Sequence, residues 1–478
     1  MPGPYLIGID GGTQSSKVAV YDITGTVVAE AREPLRPMER PRHGVAVHPD
    51  DDLWVSIAAA SRRALDAFPG ELDEIVGVGL CTIRCCKAFL RADGSLVEPV
   101  ISWMDDRAYQ PYIPDDPELA FATTSSGYLT HRLTGETRDS AANNIALQWP
   151  INSDTWQWSD DDALLAVFRL TREMLFELQV PGAIAGHVTA AAAAATGIPE
   201  GLPVVTTAND KAVEALGSGS LGESTALISL GTYIAAMVHG HENRRVSDHF
   251  WTNFASIPGR YLYESHGVRR GMWTLSWFLD LLGEEFADRA TSLGISREQY
   301  IEREAESAPA GSDGLMTVLD WLAPTEAPFR KGVMLGFDAR HTRGHLYRSI
   351  LEAIALTMKH HTTTMCDELG ITLDEVVVSG GGASSPLFMQ IFADVFALPA
   401  SRSKGDGGAG LGAAICAASA VGLFPDVEAA DAAMIDSREM FAPDPANAEM
   451  YRRMNESVYQ TIRDATDPVL ERSFPLFH

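Results

Sequence analysis

The sequence predicts an α/β protein that folds into two related domains. Apolar, β-branched runs such as residues 5–10 and 75–80 alternate with helical patterns such as residues 50–68, an order typical of layered α/β structure. The order strand, glycine turn, strand at residues 5–21 returns at residues 225–238, and an internal duplication explains this recurrence most simply. A chain of 478 residues is also too long for one ordinary core. We therefore expect two domains with separate cores.

The boundary between the domains is predicted at a short flexible segment. Residues 217–222 read Gly-Ser-Gly-Ser-Leu-Gly and lie between two strand patterns. We assign the first domain to residues 1–220 and the second to residues 223–430. Beyond Pro425 the sequence has a polar, helical pattern, which predicts a helical C-terminal tail at residues 431–478.

The composition excludes several classes of partner. The chain has 64 acidic and 37 basic residues, a formal net charge of −27, and a field of that sign repels nucleic acid and anionic lipid. No apolar run reaches the ~18 residues that a membrane span needs. The five cysteines are few and odd in number, which does not suit a disulfide framework. These observations predict a cytoplasmic protein that binds neither nucleic acid nor membranes.

The first glycine turn has the composition of a phosphate-binding loop. Residues 10–17 read Asp-Gly-Gly-Thr-Gln-Ser-Ser-Lys, in which the glycines let backbone amides approach a phosphate and the hydroxyls add donors. Asp10 is a candidate magnesium ligand, directly or through water. A Gly-rich hairpin is as often an ordinary tight turn. The second turn, at Gly231 and Thr232, favours the phosphate site, because two such turns facing each other would grip one polyphosphate from both sides.

Two further glycine-rich segments lie in the second half. Residues 379–385 read Ser-Gly-Gly-Gly-Ala-Ser-Ser and stand between a predicted strand and a helix that starts at Pro386. A flat surface at a helix N-terminus suits an adenine or a phosphate, although a tight strand-to-helix turn would need the same glycines. Residues 407–412 follow no clear strand, and we interpret them as a helix-packing segment. No Walker-type GxxxxGK[ST] sequence occurs in the chain.

Asp210 is the candidate general base. It follows the predicted strand 204–207, at the edge where open α/β sheets present reactive groups. In a kinase, a carboxylate at this place accepts the proton of the attacking hydroxyl. An isolated Asn-Asp pair is more often a helix N-cap, so this assignment depends on the other motifs.

Candidate substrate-binding residues precede the candidate base. Trp103 offers a flat apolar face for the C–H groups of a sugar, and Asp105 and Arg107 beside it offer hydrogen-bond acceptors and donors. Arg84 follows another predicted strand. An Asp-Asp-Arg run is more commonly a solvated surface turn, which is the alternative here.

Taken in order, these motifs resemble the FGGY family of carbohydrate kinases, whose fold belongs to the actin, hexokinase and Hsp70 group. The resemblance spans roughly residues 5–455, and residues 332–336 with residues 345–353 look like the second signature of the family. Phe337 stands where that signature usually has a smaller aliphatic residue. The motifs that carry the resemblance are, in chain order, Asp10-Gly-Gly-Thr13, Trp103-x-Asp105-x-Arg107, Asp210, Gly231-Thr232 and Gly380-Gly-Gly382.

The resemblance implies two ribonuclease-H-like domains, as in actin-like ATPases, that close on ATP and Mg²⁺ across a cleft. The implied reaction transfers the γ-phosphoryl group of ATP to a hydroxyl of a sugar or polyol, such as xylulose or a related pentulose, with Asp210 as the base. The residues implied to bind the nucleotide are Asp10, Gly12, Thr13, Gln14, Ser15, Lys17, Gly231, Thr232, Gly381, Gly382, Ala383 and Ser385, with Asp10 also at the metal. The residues implied to line the sugar pocket are Arg84, Trp103, Asp105, Arg107 and Asp210.

Two departures from the family pattern concern the substrate. Between Arg107 and Phe121 only a short connection stands where family members usually have several tens of residues of helix at the substrate site. We expect a more open pocket, or one that a partner subunit completes in a homodimer. Lys211 follows Asp210 where glycerol kinases have Gln and xylulokinases have Asn. A cation there would favour an acidic acceptor such as an aldonate, or lower the pKa of Asp210.

Two other functions fit part of the same pattern. One is an actin-like ATPase that lacks a sugar acceptor and uses ATP as a conformational switch. The other is a non-catalytic regulator that binds a sugar or a nucleotide without phosphate transfer, an alternative motivated by the short segment after Arg107. Neither the acceptor nor the oligomeric state follows from the sequence.

Overall fold

The computed structural model describes residues 3–145, 148–231, 233–324, 327–403, 408–435 and 438–477. Within these ranges the strands, in chain order, are Tyr5–Gly11 (β1), Ser15–Asp22 (β2), Val27–Pro34 (β3), Ile75–Thr82 (β4), Lys87–Arg91 (β5), Leu119–Thr124 (β6), Arg138–Ser140 (β7), Ile151–Asn152 (β8), Gln157–Trp158 (β9), Glu177–Gln179 (β10), Ile184–His187 (β11), Pro203–Thr206 (β12), Thr225–Leu230 (β13), Tyr233–Gly240 (β14), Phe250–Phe254 (β15), Tyr261–Ser265 (β16), Val268–Arg269 (β17), Met316–Val318 (β18), Val333–Leu335 (β19), Glu375–Ser379 (β20), Ala400–Ser403 (β21) and Arg438–Phe441 (β22). The α-helices are Asp52–Asp66 (α1), Ser125–Thr134 (α2), Asp162–Val167 (α3), Ala190–Thr196 (α4), Asp210–Gly217 (α5), Gly271–Leu281 (α6), Gly283–Ser292 (α7), Arg297–Glu306 (α8), Arg343–Leu369 (α9), Pro386–Phe396 (α10), Ala409–Ala420 (α11), Val427–Met434 (α12), Pro445–Ser457 (α13) and Ile462–Ser473 (α14).

Each half of the chain contains one large mixed sheet. In the first half the spatial order of the strands is β11-β12-β4-β1-β2-β3. Strand β1 pairs antiparallel with β2 and parallel with β4, and β4 pairs parallel with β12. In the second half the order is β15-β16-β14-β13-β20-β21-β22, with β17 paired to β14.

The two sheets share one topology. The run β3-β2-β1-β4-β12 in the first half corresponds to β16-β14-β13-β20-β21 in the second. Matching pairs also have the same direction, since β13 is antiparallel to β14 and parallel to β20, and β20 is parallel to β21. The shared order confirms the predicted α/β class and the predicted duplication.

One helix of the second half packs on the sheet of the first. Helix α11 contacts β1, β4 and α5. Glycines make this close approach possible, because a Cβ on Gly8 would lie 2.1 Å from the carbonyl oxygen of Gly410, and one on Gly79 would lie 2.0 Å from that of Ala413. The interpretation of residues 407–412 as a helix-packing segment is confirmed for residues 408–412, and Gly407 lies outside the described residues.

The helical C-terminal segment packs on the second domain. Strand β22 pairs antiparallel with β21, so the chain beyond residue 437 extends the second sheet. From α13, the buried Tyr451 donates its hydroxyl hydrogen to Glu352 Oε1 of α9 at 2.6 Å. The predicted domain boundaries stay predictions, but this segment shares contacts with the domain before it.

The described part of the chain has no helix that is both long enough and apolar enough to cross a membrane. All five cysteines are free and buried.

Candidate active site

A cavity of about 1090 Å³ lies between the two domains. The first domain contributes a wall that includes Thr13, Arg84, Trp103 and Asp210. Residues of the second domain that line it include Tyr233, Trp251, Asn253, Arg269 and the loop residues Asn243, Arg244 and Arg245. A cleft of this size, with aromatic faces and convergent polar groups, is the form that small-molecule sites usually take.

Asp210 is the first residue of α5 and is not its N-cap, although its Oδ1 accepts a hydrogen bond from the N–H of Lys211 at 3.0 Å. Asn209 is the N-cap, since its side-chain oxygen accepts hydrogen bonds from the backbone N–H groups of Lys211 and Ala212, both at 3.1 Å. The Asp210 carboxylate instead reaches the cavity, where its side chain is 28% exposed. The N-cap alternative therefore applies to Asn209 and leaves Asp210 available for chemistry.

Arg84 connects Asp210 to the second domain. Its Nε lies 4.0 Å from Asp210 Oδ1, and its Nη1 and Nη2 donate to the two carboxylate oxygens of Glu264 at 2.6 and 2.8 Å. Glu264 is fully buried on β16 and also accepts hydrogen bonds from Trp251 Nε1 and Asn253 Nδ2, both at 3.0 Å. The guanidinium is therefore held rigidly beside Asp210.

The carboxylates in the cleft affect one another. Burial raises the pKa of Asp10 to about 7, and the neighbouring carboxylate of Asp210 adds to this effect. Burial also raises the pKa of Asp210, although the positive charges of Arg84 and Lys211 oppose the rise. Glu264 differs, because Arg84 outweighs its burial and lowers its pKa. Asp10 and Asp210 are neighbouring carboxylates whose negative charges are only partly balanced by cations of the protein. A divalent cation bound there would reduce their mutual repulsion.

The described residues contain no preformed cluster of three or more His, Cys, Asp or Glu side chains with metal-binding geometry. A cation at Asp10 would thus take its remaining ligands from water and from phosphate oxygens, which is the usual arrangement for Mg²⁺.

The first glycine turn is a tight hairpin at the edge of the cavity. The N–H of Gly12 donates to the carbonyl oxygen of Ser15 at 3.1 Å. Trp103 Nε1 donates to Thr13 Oγ1 at 3.3 Å, so the turn contacts the candidate substrate wall. Gln14 and Lys17 are exposed, and Lys17 stands opposite Asp10 in the β1–β2 ladder.

The second glycine turn, after β13, meets the side chain of Lys211. A Cβ on Gly231 would lie 3.7 Å from Lys211 Nζ. The same Nζ donates to Ser229 Oγ at 2.5 Å and to Glu214 Oε2 at 3.0 Å. Burial alone lowers the pKa of Lys211, but Glu214 and Asp210 more than offset it and raise the pKa above its usual value. Thr232, the other predicted residue of this turn, lies outside the described residues.

The third glycine segment lies against the second turn. Gly380 has a φ of +89°, and a Cβ there would lie 2.6 Å from the carbonyl oxygen of Leu230, so only glycine fits. Gly381 has open space where a side chain would stand, whereas Gly382 and Ala383 are buried. Ser385 is the N-cap of α10, since its Oγ accepts from Phe388 N at 3.0 Å, and its hydroxyl also contacts Glu302. The segment therefore offers an open glycine surface directly beside Gly231.

Asp105 and Arg107 are not among the residues that line the cavity. Asp105 is fully buried, and its carboxylate accepts from Arg107 Nε at 2.9 Å, from Arg107 Nη2 at 2.7 Å and from the N–H of Ala46 at 2.8 Å. Arg107 also lies 3.7 Å from Glu98 and stacks over Tyr112. The assignment of this pair to the sugar pocket stays a prediction. In the structure the pair holds the loop that carries Trp103.

Several residues at the site are not predicted from the sequence. Trp251 and Asn253 of β15 line the cavity, and Glu264 of the neighbouring strand β16 is their buried hydrogen-bond partner. These segments have no glycine turn or other motif. Tyr109 follows the predicted substrate motif and lines the cavity as well. No sequence motif marks Glu264 as the partner of Arg84.

Two domains of one topology that enclose a cleft with a glycine turn from each side define the actin-like class of nucleotide-binding proteins. Comparison with known proteins makes the class more specific. The model of the N-terminal domain of the FGGY family of carbohydrate kinases matches residues 5–112 and 118–217, and that of the C-terminal domain matches residues 226–421. The chain therefore belongs to the FGGY family of carbohydrate kinases.

Individual similar proteins support the assignment to this family. The uncharacterized sugar kinase YgcE of Escherichia coli (strain K12) is 46% identical over 478 residues, which cover 100% of this chain and 97% of the relative. The crystal structure of xylulose kinase from Rhodospirillum rubrum has a TM-score of 0.81 at 25% identity and covers 98% of this chain and 100% of that chain. That of Plasmodium falciparum glycerol kinase with ADP has the same fold, with a TM-score of 0.78 at 17% identity, and covers 96% and 98% of the two chains.

The protein is accordingly a carbohydrate kinase, and kinases of this family use ATP. These comparisons do not favour an actin-like ATPase without an acceptor or a non-catalytic regulator.

Proposed function

We propose that this kinase transfers the γ-phosphoryl group of ATP to a hydroxyl of a sugar or polyol, with Asp210 as the general base. One observation carries the proposal: Asn209 and not Asp210 is the N-cap of α5, and the carboxylate of Asp210 reaches the interdomain cavity, near Asp10 and Arg84. The proton of an attacking hydroxyl needs an acceptor at that point, and a carboxylate within the cleft is suited to the task.

The environment of Asp210 suits a base. Burial raises its pKa, so the carboxylate binds a proton more strongly than an exposed aspartate does. Arg84, at 4.0 Å, attracts the carboxylate by its charge without donating a close hydrogen bond to it. After transfer, the proton resides on Asp210 until solvent removes it when the domains open.

The nucleotide phosphates lie, in this proposal, between the two glycine turns. Thr13 on one side and Gly231 on the other would offer backbone N–H groups, with Gly12 leaving room for the close approach of a phosphate, and Asp10 would hold Mg²⁺ through its carboxylate. Bound Mg²⁺ would neutralise charge on the phosphate oxygens. The open surface at Gly381, which continues from the second turn, would receive the adenosine.

The acceptor would lie along the aromatic wall. Trp103, Tyr109 and Trp251 line the cavity and offer flat faces for sugar C–H groups. The cavity is large enough for a pentulose, a polyol or a sugar acid, and a pentulose such as xylulose is the first acceptor to test. A second copy of the chain near the short segment after Arg107 would narrow the opening, which makes a homodimer worth testing by light scattering.

A coupled assay of ADP release tests the proposal. The protein is incubated with ATP, Mg²⁺ and one member of a panel of pentuloses, hexuloses, tetritols, glycerol and aldonates. We expect one class to raise ADP release well above the rate with ATP alone, and mass spectrometry to show one phosphate added to that acceptor. ATP hydrolysis that no acceptor changes would contradict the proposal.

A further inference from the structure

The side chain of Lys211 spans the distance between the candidate base and the second glycine turn. Lys211 follows Asp210 on α5, yet the two side chains have different partners: Asp210 lies beside Arg84, and Lys211 Nζ bonds to Ser229. Ser229 is two residues before Gly231 on β13, and Nζ lies 3.7 Å from where a Cβ of Gly231 would be. The ammonium group therefore stands at the turn that would hold the nucleotide phosphates, at the cavity wall.

Two partners, one carboxylate and one hydroxyl, hold this ammonium group in place. Glu214 Oε2 accepts from Nζ at 3.0 Å, and Ser229 Oγ both accepts from Nζ at 2.5 Å and donates to Glu214 at 2.8–2.9 Å. The side chains of Lys211 and Glu214 are each only 15% exposed. An ammonium group has three donors, and these contacts use two of them. The third is available to a ligand in the cavity.

We propose that Lys211 is a further catalytic residue, which contacts the transferring γ-phosphoryl group of the nucleotide. The inference rests on the proposed function, since it assigns a role within the same reaction. In the transfer, the bond from the γ-phosphorus to the β,γ-bridging oxygen breaks, and its electron pair leaves with ADP. The acceptor oxygen forms the new bond to phosphorus, and its proton passes to Asp210. Lys211 keeps its protons and donates a hydrogen bond to a non-bridging γ-oxygen, where charge is spread in the transition state.

The position of Nζ favours the phosphoryl group over an acidic acceptor. The aromatic wall suited to an acceptor is formed by Trp103, Tyr109 and Trp251, and Trp251 Nε1 donates to Glu264, the buried partner of Arg84. Lys211 Nζ bonds instead to Ser229 on β13, the strand that leads into the Gly231 turn. A γ-phosphate held by this turn would lie beside the ammonium group.

The central test replaces Lys211 by methionine, which keeps the length of the side chain and removes its charge. We expect Lys211→Met to lower kcat by about 100- to 1,000-fold, with the KM for the acceptor unchanged. Isothermal calorimetry gives a readout that needs no turnover: affinity for a non-hydrolysable ATP analogue should fall about tenfold, while affinity for ADP should not change. Lys211→Arg, which keeps the charge, should retain the preference for the analogue over ADP.

Loss of the charge could also act by leaving Glu214 unpaired. The double variant Lys211→Met/Glu214→Gln removes that unpaired charge, and we expect it to fold stably and remain as slow as the single variant. Lys359→Met is the matched control, because Lys359 is another partly buried lysine, whose Nζ donates to the carbonyl oxygen of Phe396 at 3.2 Å outside the cavity lining. It should keep normal turnover and nucleotide affinities.

Three results would overturn the assignment. Recovery of turnover in the double variant would reduce Lys211 to a structural partner of Glu214. A raised KM for an acidic acceptor with unchanged kcat would make it an acceptor-recognition residue. Equal loss of affinity for ADP and for the ATP analogue would exclude a contact with the γ-phosphate. If the unmodified protein phosphorylated no acceptor, the proposed function would fail, yet the two nucleotide affinities would still report on Lys211.

Discussion

Arg84 and Glu264 form a bidentate ion pair between the domains, with N···O distances of 2.6 and 2.8 Å. Arg84 follows β4 of the first sheet, and Glu264 lies on β16 of the second. The same guanidinium lies 4.0 Å from the carboxylate of Asp210, so one side chain links the domain interface to the candidate base.

Removal of Glu264 should destabilise the protein. In Glu264→Ala the Arg84 charge loses its buried partner, and a buried pair that is broken in this way costs about 3 kcal/mol of the free energy of unfolding. Denaturant unfolding at neutral pH measures the loss. Glu449→Ala is the matched control, since it removes one partner of the exposed Arg452–Glu449 pair and should change the midpoint little. Similar midpoints for Glu264→Ala and the original protein would show that Arg84 is solvated well enough to need no partner.

Replacement of Asp210 should abolish most turnover while leaving nucleotide binding intact. Asp210→Asn keeps the shape of the side chain but cannot accept the acceptor proton, so we expect kcat to fall by about 100- to 10,000-fold. Steady-state ADP release gives the rate, and calorimetry with ADP checks the binding site. Asp160→Asn, at an exposed position in the first domain, should behave like the original protein. Turnover of Asp210→Asn near the normal rate would exclude a general base at this position.

The sequence was most informative where function depends on local backbone. The glycine turns at residues 10–17 and 380–382 combine a short motif with a preceding apolar strand, and both were predicted in place. The sequence also singles out Asp210, although only the hydrogen bonds of the structure assign the N-cap to Asn209. The α/β class and duplication followed from strand patterns repeated in each half.

Sequence patterns do not predict contacts between residues that are far apart in the chain. Arg84 and Glu264 are 180 residues apart, and Glu264 stands in a strand without any motif. The pair Asp105 and Arg107 shows a different limit: both residue types are evident in the sequence, but the pairing of their charges in the loop is evident only from the structure. Residue types alone do not distinguish a charge that is free for a ligand from one that is already paired.

The packing of α11 on the first sheet should be intolerant of a single methyl group. In Gly79→Ala the new Cβ would lie 2.0 Å from the carbonyl oxygen of Ala413, which neither backbone can avoid without moving. We expect a loss of about 1–3 kcal/mol in the free energy of unfolding, measured by denaturant titration. Gly11→Ala offers the control in a paired strand, because its Cβ would have an ordinary nearest contact of 3.5 Å. Equal stability of the two variants would contradict the close approach of α11.

Acid should destabilise the protein partly through His48. This residue is 1% exposed, neither ring nitrogen has a hydrogen-bond partner among the described residues, and burial lowers its pKa to about 4. As the pH falls below about 6.5, the unfolded chain gains a proton at this histidine while the folded protein does not, so stability is lost until about pH 4. Between pH 7 and pH 5 this amounts to about 2 kcal/mol.

His48→Leu, which fills a similar volume and does not titrate, should lose about 2 kcal/mol less than the original protein when denaturant unfolding at pH 7 is compared with that at pH 5. His187→Leu, at an exposed position, should leave the difference between the two pH values unchanged. The quantity compared is the change in the free energy of unfolding from pH 7 to pH 5. An effect of the new side chain on packing is the same at both pH values, so it cancels in this change. If His48→Leu and the original protein lost the same stability over this interval, His48 would be protonated in the folded state, and its burial would have to be relieved by an opening of the chain around it.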